Sequence, residues 1–397
     1  MKLSARANRI QPSATLAITA KEKALKAQGV DVVGFGAGEP DFDSPDYVKE
    51  AAVEAIKKGY TKYTPVGGID QLKDAIIERM KQDYGFGYEK AELVVSCGAK
   101  HTLFNLTQAI IEAGDEVIIP APYWVSYPEQ VTFAEGTPVI LETREEDGFR
   151  IDPDELKKLI TPKTKALVLN YPSNPTGVTY SEAELRAIVD VAMAAGLTII
   201  SDEIYDKIIY EGAKHTPVAS LGEDVKKATI LVNGASKTYS MTGWRIGFAA
   251  GDKDVIKAMA NIQGQSTSNP TSIAQWAAVS AYASPQDLIT QRTAEFEKRK
   301  NYIVDRLNSI PGIKCVSPKG AFYAFPNVSA CYGKSFNGKA VNSSLDFTGF
   351  LLDEAKVAVV PGDSFGADSN VRISFATSME NIVKGMDRIE EAVAKLA

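Results

Sequence analysis

Through the middle of the chain, short apolar runs rich in β-branched residues alternate with longer amphipathic stretches. ELVVSC is followed by AKHTLFNLTQAIIEAG, and DEVIIPAP, TPVILE, TKALVLNYP, LTIISDEIY and ATILVNGAS then recur with DPDELKKLI and SEAELRAIVDVAMAAG among them. A run that is apolar at successive positions, and not only at every second one, belongs to a strand covered on both faces, while the intervening stretches have helical spacing. The pattern predicts an α/β fold: a large domain built on a doubly wound, mainly parallel sheet with helices on both faces. Ligands of such sheets sit beyond the carboxyl ends of the strands, and that is where chemistry should be sought.

After about residue 296 the pattern changes. One long charged helix, AEFEKRKNYIVDRLNSI, is followed by GAFYAFPNV, VAVVPG, NVRISFAT and a closing helix. This predicts a smaller α+β domain over 296–397, completed by the N-terminal segment 1–44, with 45–295 forming the large domain. No internal repeat or low-complexity linker interrupts the chain.

Composition narrows the chemistry. With 397 residues and 45% hydrophobic content the chain can bury a sizeable core. A net charge of -6 repels phosphate polymers and anionic lipid, so small solutes are expected as partners, with neither nucleic acid nor membrane. Cys97, Cys315 and Cys331 have no paired or metal-ligand spacing, and the N-terminal stretch lacks a signal-peptide core, which together predict a cytoplasmic protein. With His101 and His215 as the only histidines, no multi-histidine metal site can be built and no metal is expected; lysine, tyrosine and aspartate must carry acid–base work. Two phosphate motifs fail. GFGAGEPD places Glu39 where a dinucleotide fingerprint needs its third glycine, and Val328 stands where a P-loop ending in YGKSF needs its first.

Read in order, the strand ends offer Gly98, Ala99 and Lys100 after VVSC, Trp124 after VIIPAPY, Asn174 in NYPSNPTG, Asp202 and Tyr205 in SDEIY, and Ser236 and Lys237 after ILVNGA. An aspartate following LTII ends a buried strand, where an unpaired charge is costly, so Asp202 needs a cationic partner. Lys237, an amine among small residues, has the setting of a nucleophile with room for a bulky adduct. Pyridoxal 5'-phosphate answers both demands. Its aldehyde takes a lysine as a Schiff base and its pyridine nitrogen is kept protonated by a buried carboxylate. Its phenolic oxygen takes asparagine and tyrosine donors, its ring face takes an aromatic, and its phosphate suits a helix N-terminus.

GASKTYSMTGWRIG, NYPSNPTG, SDEIY and NVRISFA resemble the signatures of the class I, fold-type I pyridoxal-phosphate aminotransferases, and the likeness runs from QPSAT to the C-terminus. QPSAT, AGEPDFD, TKYTPVGGI, APYWVSYPE and QSTSNPTSIAQWA are most similar to the bacterial aspartate aminotransferase branch, which includes enzymes accepting prephenate. The resemblance implies that Lys237 carries the cofactor, Asp202 pairs with the ring nitrogen, Asn174 and Tyr205 hold the ring hydroxyl, and Trp124 stacks on the ring. The phosphate is expected over the amides of Gly98, Ala99 and Lys100, with Ser236 and a bidentate Arg245. Gly234 stands where the family has a serine.

The resemblance further implies a homodimer with shared active sites, Tyr63 reaching the neighbour's phosphate and Ser266–Asn269 lying near the subunit boundary. Arg372, with the amide of Gly38 and Asn174, is the expected clamp for the substrate α-carboxylate. Lys100 is expected to meet the distal carboxylate of a dicarboxylic substrate, or else to be a solvated lysine near the phosphate. The implied reaction passes the amino group between an amino acid and a 2-oxo acid by ping-pong kinetics through pyridoxamine phosphate. L-aspartate with 2-oxoglutarate is the leading pair; a bifunctional aspartate/prephenate enzyme or an aromatic or broad-specificity aminotransferase are the alternatives.

Overall fold

A computed structural model of the chain describes residues 2–10 and 14–397; Gln11, Pro12 and Ser13 of the QPSAT motif lie outside them. A short strand β1 (Val33–Gly34) precedes the main sheet. That sheet comprises β2 (Leu93–Ser96), β3 (Glu116–Ala121), β4 (Thr137–Glu142), β5 (Thr164–Asn170), β6 (Thr198–Asp202), β7 (Thr229–Gly234) and β8 (Gly247–Ala250). Its seven strands run in the order β2-β8-β7-β6-β5-β3-β4. All neighbours are parallel except those of β8, which lies antiparallel between β2 and β7. The hydrophobic pattern predicts six of these strands and misses β8, because GFAA holds no β-branched residue to mark it.

The inner strands are buried on both sides, as their unbroken apolar runs require. Val117, Ile119, Val168 and Ile200 pack with Leu103 and Leu106 of the helix Ala99–Ile110. Ile118, Leu167 and Ile199 pack with Leu185 and Ile188 of the helix Glu182–Ala194, whose start is fixed by a Ser181/Glu184 capping box.

The C-terminal region adds β9 (Tyr323–Ala324), a hairpin of β10 (Lys334–Phe336) and β11 (Lys339–Val341), then β12 (Val357–Ala358), β13 (Val360–Pro361) and β14 (Val371–Ser374). β14 pairs with both β13 and β9, and β1 pairs in parallel with β12, so Val33 and Phe35 enter the same core as Phe322, Ile373 and Phe375. The closing helix Met379–Val393 contributes Ile382, Met386, Ile389 and Val393, an apolar stripe at helical spacing. The long charged helix spans Asp287–Ser309, starting earlier than the pattern indicates.

Segments 208–210 and 318–321 are bound together: Ala321 N–H donates to the Ile208 carbonyl at 2.9 Å, and Tyr210 N–H to that of Lys319 at 3.0 Å. Glu211 beside them accepts from Lys300 at 2.6 Å and also from Lys319. Lys300 is only 1% exposed, and the two ammonium groups pull the Glu211 carboxyl down to about 2. Because that value is lowered from 4.5, the stabilisation is present above pH 4.5 and fades as pH falls toward 2. Glu211→Gln is expected to destabilise the fold by roughly 1–3 kcal/mol by stranding a buried ammonium, and adding Lys300→Met should recover most of it. Thermal unfolding of the single and double variants at neutral pH checks this.

Candidate active site

The carboxyl ends of β2, β5, β6 and β7 open into a cavity of about 420 Å³. Its walls bring together Gly38, Ala99, Lys100, Trp124, Asn174, Asp202, Tyr205, Ser236, Lys237, Arg245 and Arg372, all singled out by sequence.

Lys237 stands three residues beyond β7, in the turn that leads back to β8. Its Nζ donates to the Gly38 carbonyl, and loss of hydration lowers its pKa to about 8. Near that pH about half of such amines are free base, against well under one per cent for an ordinary lysine. Asp202, at the end of β6 and 3% exposed, accepts from Tyr127 Oη at 2.7 Å and from Ile204 N–H at 3.2 Å. Burial nevertheless raises its carboxyl to about 6. A nearby cation would reverse that penalty, which makes Asp202 a seat for a protonated ring nitrogen.

At the other end of the cavity, Gly98 (φ 88°) leads into the helix Ala99–Ile110. A Cβ at Gly98 would lie 2.3 Å from Arg245 Nη2, so glycine is what lets the guanidinium rest against the helix start. Arg245, itself in the left-handed region at φ 58°, donates to Thr242 O at 2.8 Å and to Cys97 O at 3.3 Å. Backbone amides and a guanidinium converge here as an anion seat. Gly234 has a structural reason: a Cβ would sit 2.8 Å from Ile246 O and 2.9 Å from Gly247 Cα, backbone that cannot give way.

Arg372 on β14 is 2% exposed. Its Nη1 donates to Asn174 Oδ1 and its Nη2 to Gly36 O, each at 2.9 Å, while Nε has no partner. The guanidinium lies 4.5 Å from the Tyr323 ring centre and 5.0 Å from that of Phe365. Its hydrogen-bond partners among the described residues are neutral oxygens, a setting that favours an anionic ligand, and burial pushes its pKa down. With Oδ1 engaged, Asn174 offers its Nδ2 donors to other groups. Tyr205 Oη lies 2.8 Å from Tyr323 Oη.

Lys100 reaches solvent at the mouth, yet burial and then Arg245 lower its pKa. Its Nζ rests 4.8 Å from the centre of the Trp124 ring. Tyr63 is not brought to this cavity; it is 91% exposed.

A family model described as aminotransferase class I and II matches residues 30–389. The chain is 52% identical to an aspartate aminotransferase of Geobacillus stearothermophilus, with 98% of each chain covered. The chain belongs to the class I and II aminotransferases. An aspartate/prephenate aminotransferase of Nitrosomonas europaea is 46% identical over 98% of this chain and 99% of its own. A crystal structure of an aspartate aminotransferase from Rhizobium meliloti superposes with a TM-score of 0.96 at 43% identity, both chains fully covered. One from Thermus thermophilus with maleate gives 0.93, also at 43% identity, over 99% of this chain and all of that one.

Aminotransferases of this class use pyridoxal phosphate. The cavity fits it: an anion seat at Gly98 and Arg245, a buried carboxylate of raised pKa at Asp202, and a poorly hydrated amine at Lys237.

Several residues of the site escape the sequence reading. Tyr127 holds Asp202 and packs edge-on to Trp124 with ring centres 5.3 Å apart. Its position three residues after Trp124, at the start of the helix Ser126–Phe133, is the signal that could have found it. Asn170 is paired in register with Asp202 and donates to its carbonyl at 3.0 Å. Tyr323 comes from β9, directly opposite Ser374 of β14. His215 lies away from the cavity, 2.7 Å from the buried Glu203.

Tyr127→Phe removes a hydrogen bond to the charged form of Asp202. A bond of that kind is worth about 1.5–3 kcal/mol, so cofactor affinity is expected to fall about ten- to a hundredfold. Equilibrium dialysis of cofactor against wild type and variant measures it, and equal affinities contradict it.

Proposed function

We propose that this chain is an aspartate aminotransferase, passing the amino group of L-aspartate to 2-oxoglutarate by ping-pong kinetics and yielding oxaloacetate and L-glutamate. The observation that carries the reading is the charge of the cavity. Among the described residues that line it, Lys23, Lys100, Lys237, Arg245 and Arg372 face two carboxylates, Glu39 and Asp202. A phosphate of charge up to about −2 leaves part of that excess, and an amino acid with a single carboxylate is a zwitterion that adds no net charge, whereas a second carboxylate on the substrate answers it. The similar proteins named aspartate aminotransferases support the same substrate class.

When bound, the cofactor supplies an electron sink beside the substrate Cα. The chain does the rest. Arg372 takes the α-carboxylate as a bidentate pair, with Asn174 and the Gly38 amide completing that seat, and Lys100 takes the distal carboxylate. Asp202, steadied by Tyr127, holds the proton on the ring nitrogen, while Asn174 and Tyr205 hold the ring oxygen. Gly98, Ala99, Lys100, Ser236 and Arg245 hold the phosphate. Trp124 covers the ring face and excludes water. Lys237, once freed, removes the Cα proton, and an amine with a pKa near 8 is suited to accept it at physiological pH.

Prephenate as a second amino acceptor is favoured by the aspartate/prephenate enzymes among the relatives. We further propose a cytoplasmic homodimer in which Tyr63 completes the neighbour's phosphate site. Exposed apolar residues in this part of the chain support this: Val53 and Ile56 on the helix Asp46–Lys57 and Tyr63 are exposed, and Tyr60 stacks on Trp276 with ring centres 4.8 Å apart. Residues 1–44 and 296–397 are proposed as one smaller domain and 45–295 as the larger.

Lys237→Ala is expected to lose turnover by roughly a thousandfold or more while still binding cofactor. Lys100→Ala is expected to lower kcat/KM for aspartate relative to alanine by about ten- to a hundredfold, the worth of one charge-assisted hydrogen bond. Single-turnover absorbance changes with aspartate, glutamate, alanine and phenylalanine read both. Near-normal turnover without Lys237, or unchanged selectivity without Lys100, contradicts the corresponding assignment.

A further inference from the structure

Glu39, which spoils the dinucleotide fingerprint, has no part in the transamination steps above. Its Oε2 accepts from Thr242 Oγ1 at 2.7 Å, and the Thr242 carbonyl in turn accepts from Arg245 Nη1 at 2.8 Å. The residue before it, Gly38, gives its carbonyl to Lys237 Nζ, and Gly36 gives its own to Arg372 Nη2. One continuous segment, Gly36–Glu39, therefore meets Arg372, then Lys237, then the loop that carries Arg245. A closed circuit results. It runs from the Lys237 amine to the Gly38 carbonyl, through the Glu39 side chain to Thr242, and back along the chain to Lys237.

We propose that Glu39 is a positioning residue for Lys237, acting through the Thr242 hydroxyl and the Gly38 carbonyl to fix the amine and to face it with a negative charge. The inference rests on Lys237 being the lysine that carries the cofactor. The charged groups that face this amine are Glu39 and Asp202, which favour its protonated form, and Arg372 and Arg245, which oppose it. Of the two carboxylates Glu39 acts more strongly, and Asp202 is committed to the ring nitrogen once cofactor is bound. With Arg245 given to the phosphate, Glu39 then remains to oppose the Arg372 guanidinium, which acts on the amine more strongly than Arg245. It is solvent-exposed, so its influence is screened and moderate in size.

The test follows the visible absorbance of the cofactor-loaded protein against pH for wild type, Glu39→Gln and Thr242→Val. Loss of a nearby negative charge destabilises the protonated nitrogen on Lys237, so the midpoint must move to lower pH. The expected shift for Glu39→Gln is about 0.3–0.7 pH unit, which follows from the worth of a solvent-screened pair. Thr242→Val, which frees the carboxylate but keeps its charge, should move the midpoint the same way by less. In cofactor-free protein, the pH dependence of Lys237 acylation, read by peptide mass spectrometry, should shift in the same order. Borohydride trapping, followed by peptide mapping, locates the cofactor. Unchanged midpoints and acylation profiles in both variants, with cofactor trapped on Lys237, overturn the role of Glu39 and leave the lysine assignment standing. Cofactor trapped on another residue overturns both.

Discussion

The constraint on which the rest of this structure depends is the burial of positive charge that has no counter-charge in hydrogen-bond contact among the described residues. Arg372 lies in the core, 2% exposed, held by neutral oxygens and aromatic faces and with Nε unpartnered. A folded chain gains nothing from such a group, because desolvating a cation costs several kcal/mol that neutral acceptors only partly return. The arrangement becomes favourable when an anion enters. Arg245 and Lys100 repeat the theme nearer to solvent, and Asp202 mirrors it with a buried carboxylate raised to about 6, which a cation would stabilise in its charged form.

The fold supplies the rigidity that keeps these charges apart. β2, β5, β6 and β7 end on one edge of a sheet, so Gly98, Asn174, Asp202 and Lys237 are carried on short segments rooted in buried strands. Arg372 arrives from a separate three-stranded sheet, and the strip Gly36–Glu39 bridges the two. Part of the site is thus assembled where the two sheets approach, with Arg372 of the three-stranded sheet donating to Asn174 beyond the end of β5, while pairs such as Tyr127 and Asp202 lie wholly on the seven-stranded side.

What sequence revealed follows from how local the cause was. Asp202 and Lys237 could be read because an aspartate closing LTII and a lysine following ILVNGAS are chemically out of place at strand ends unless they act. Tyr127 carried a signal only in its spacing from Trp124, and Tyr323 and the contact between Glu39 and Thr242 could not be read at all. The last joins residues 203 positions apart, and no spacing encodes such an approach. The pattern misses β8 because its two alanines and one glycine resemble a loop, although Gly247 is what allows the close approach to the amide of Ala99, where a Cβ would come within 2.2 Å. Gly234 was visible only as a departure from the family pattern; the backbone of β8 supplies its cause.

The most direct measurement is a paired one on Arg372→Met, recording succinate binding by calorimetry in the cofactor-loaded protein and the thermal midpoint without ligand. If the buried guanidinium is kept for anions at the expense of stability, succinate affinity falls by at least about tenfold while the unliganded midpoint stays level or rises. A lower midpoint with succinate binding intact would make Arg372 a structural cation and contradict the account.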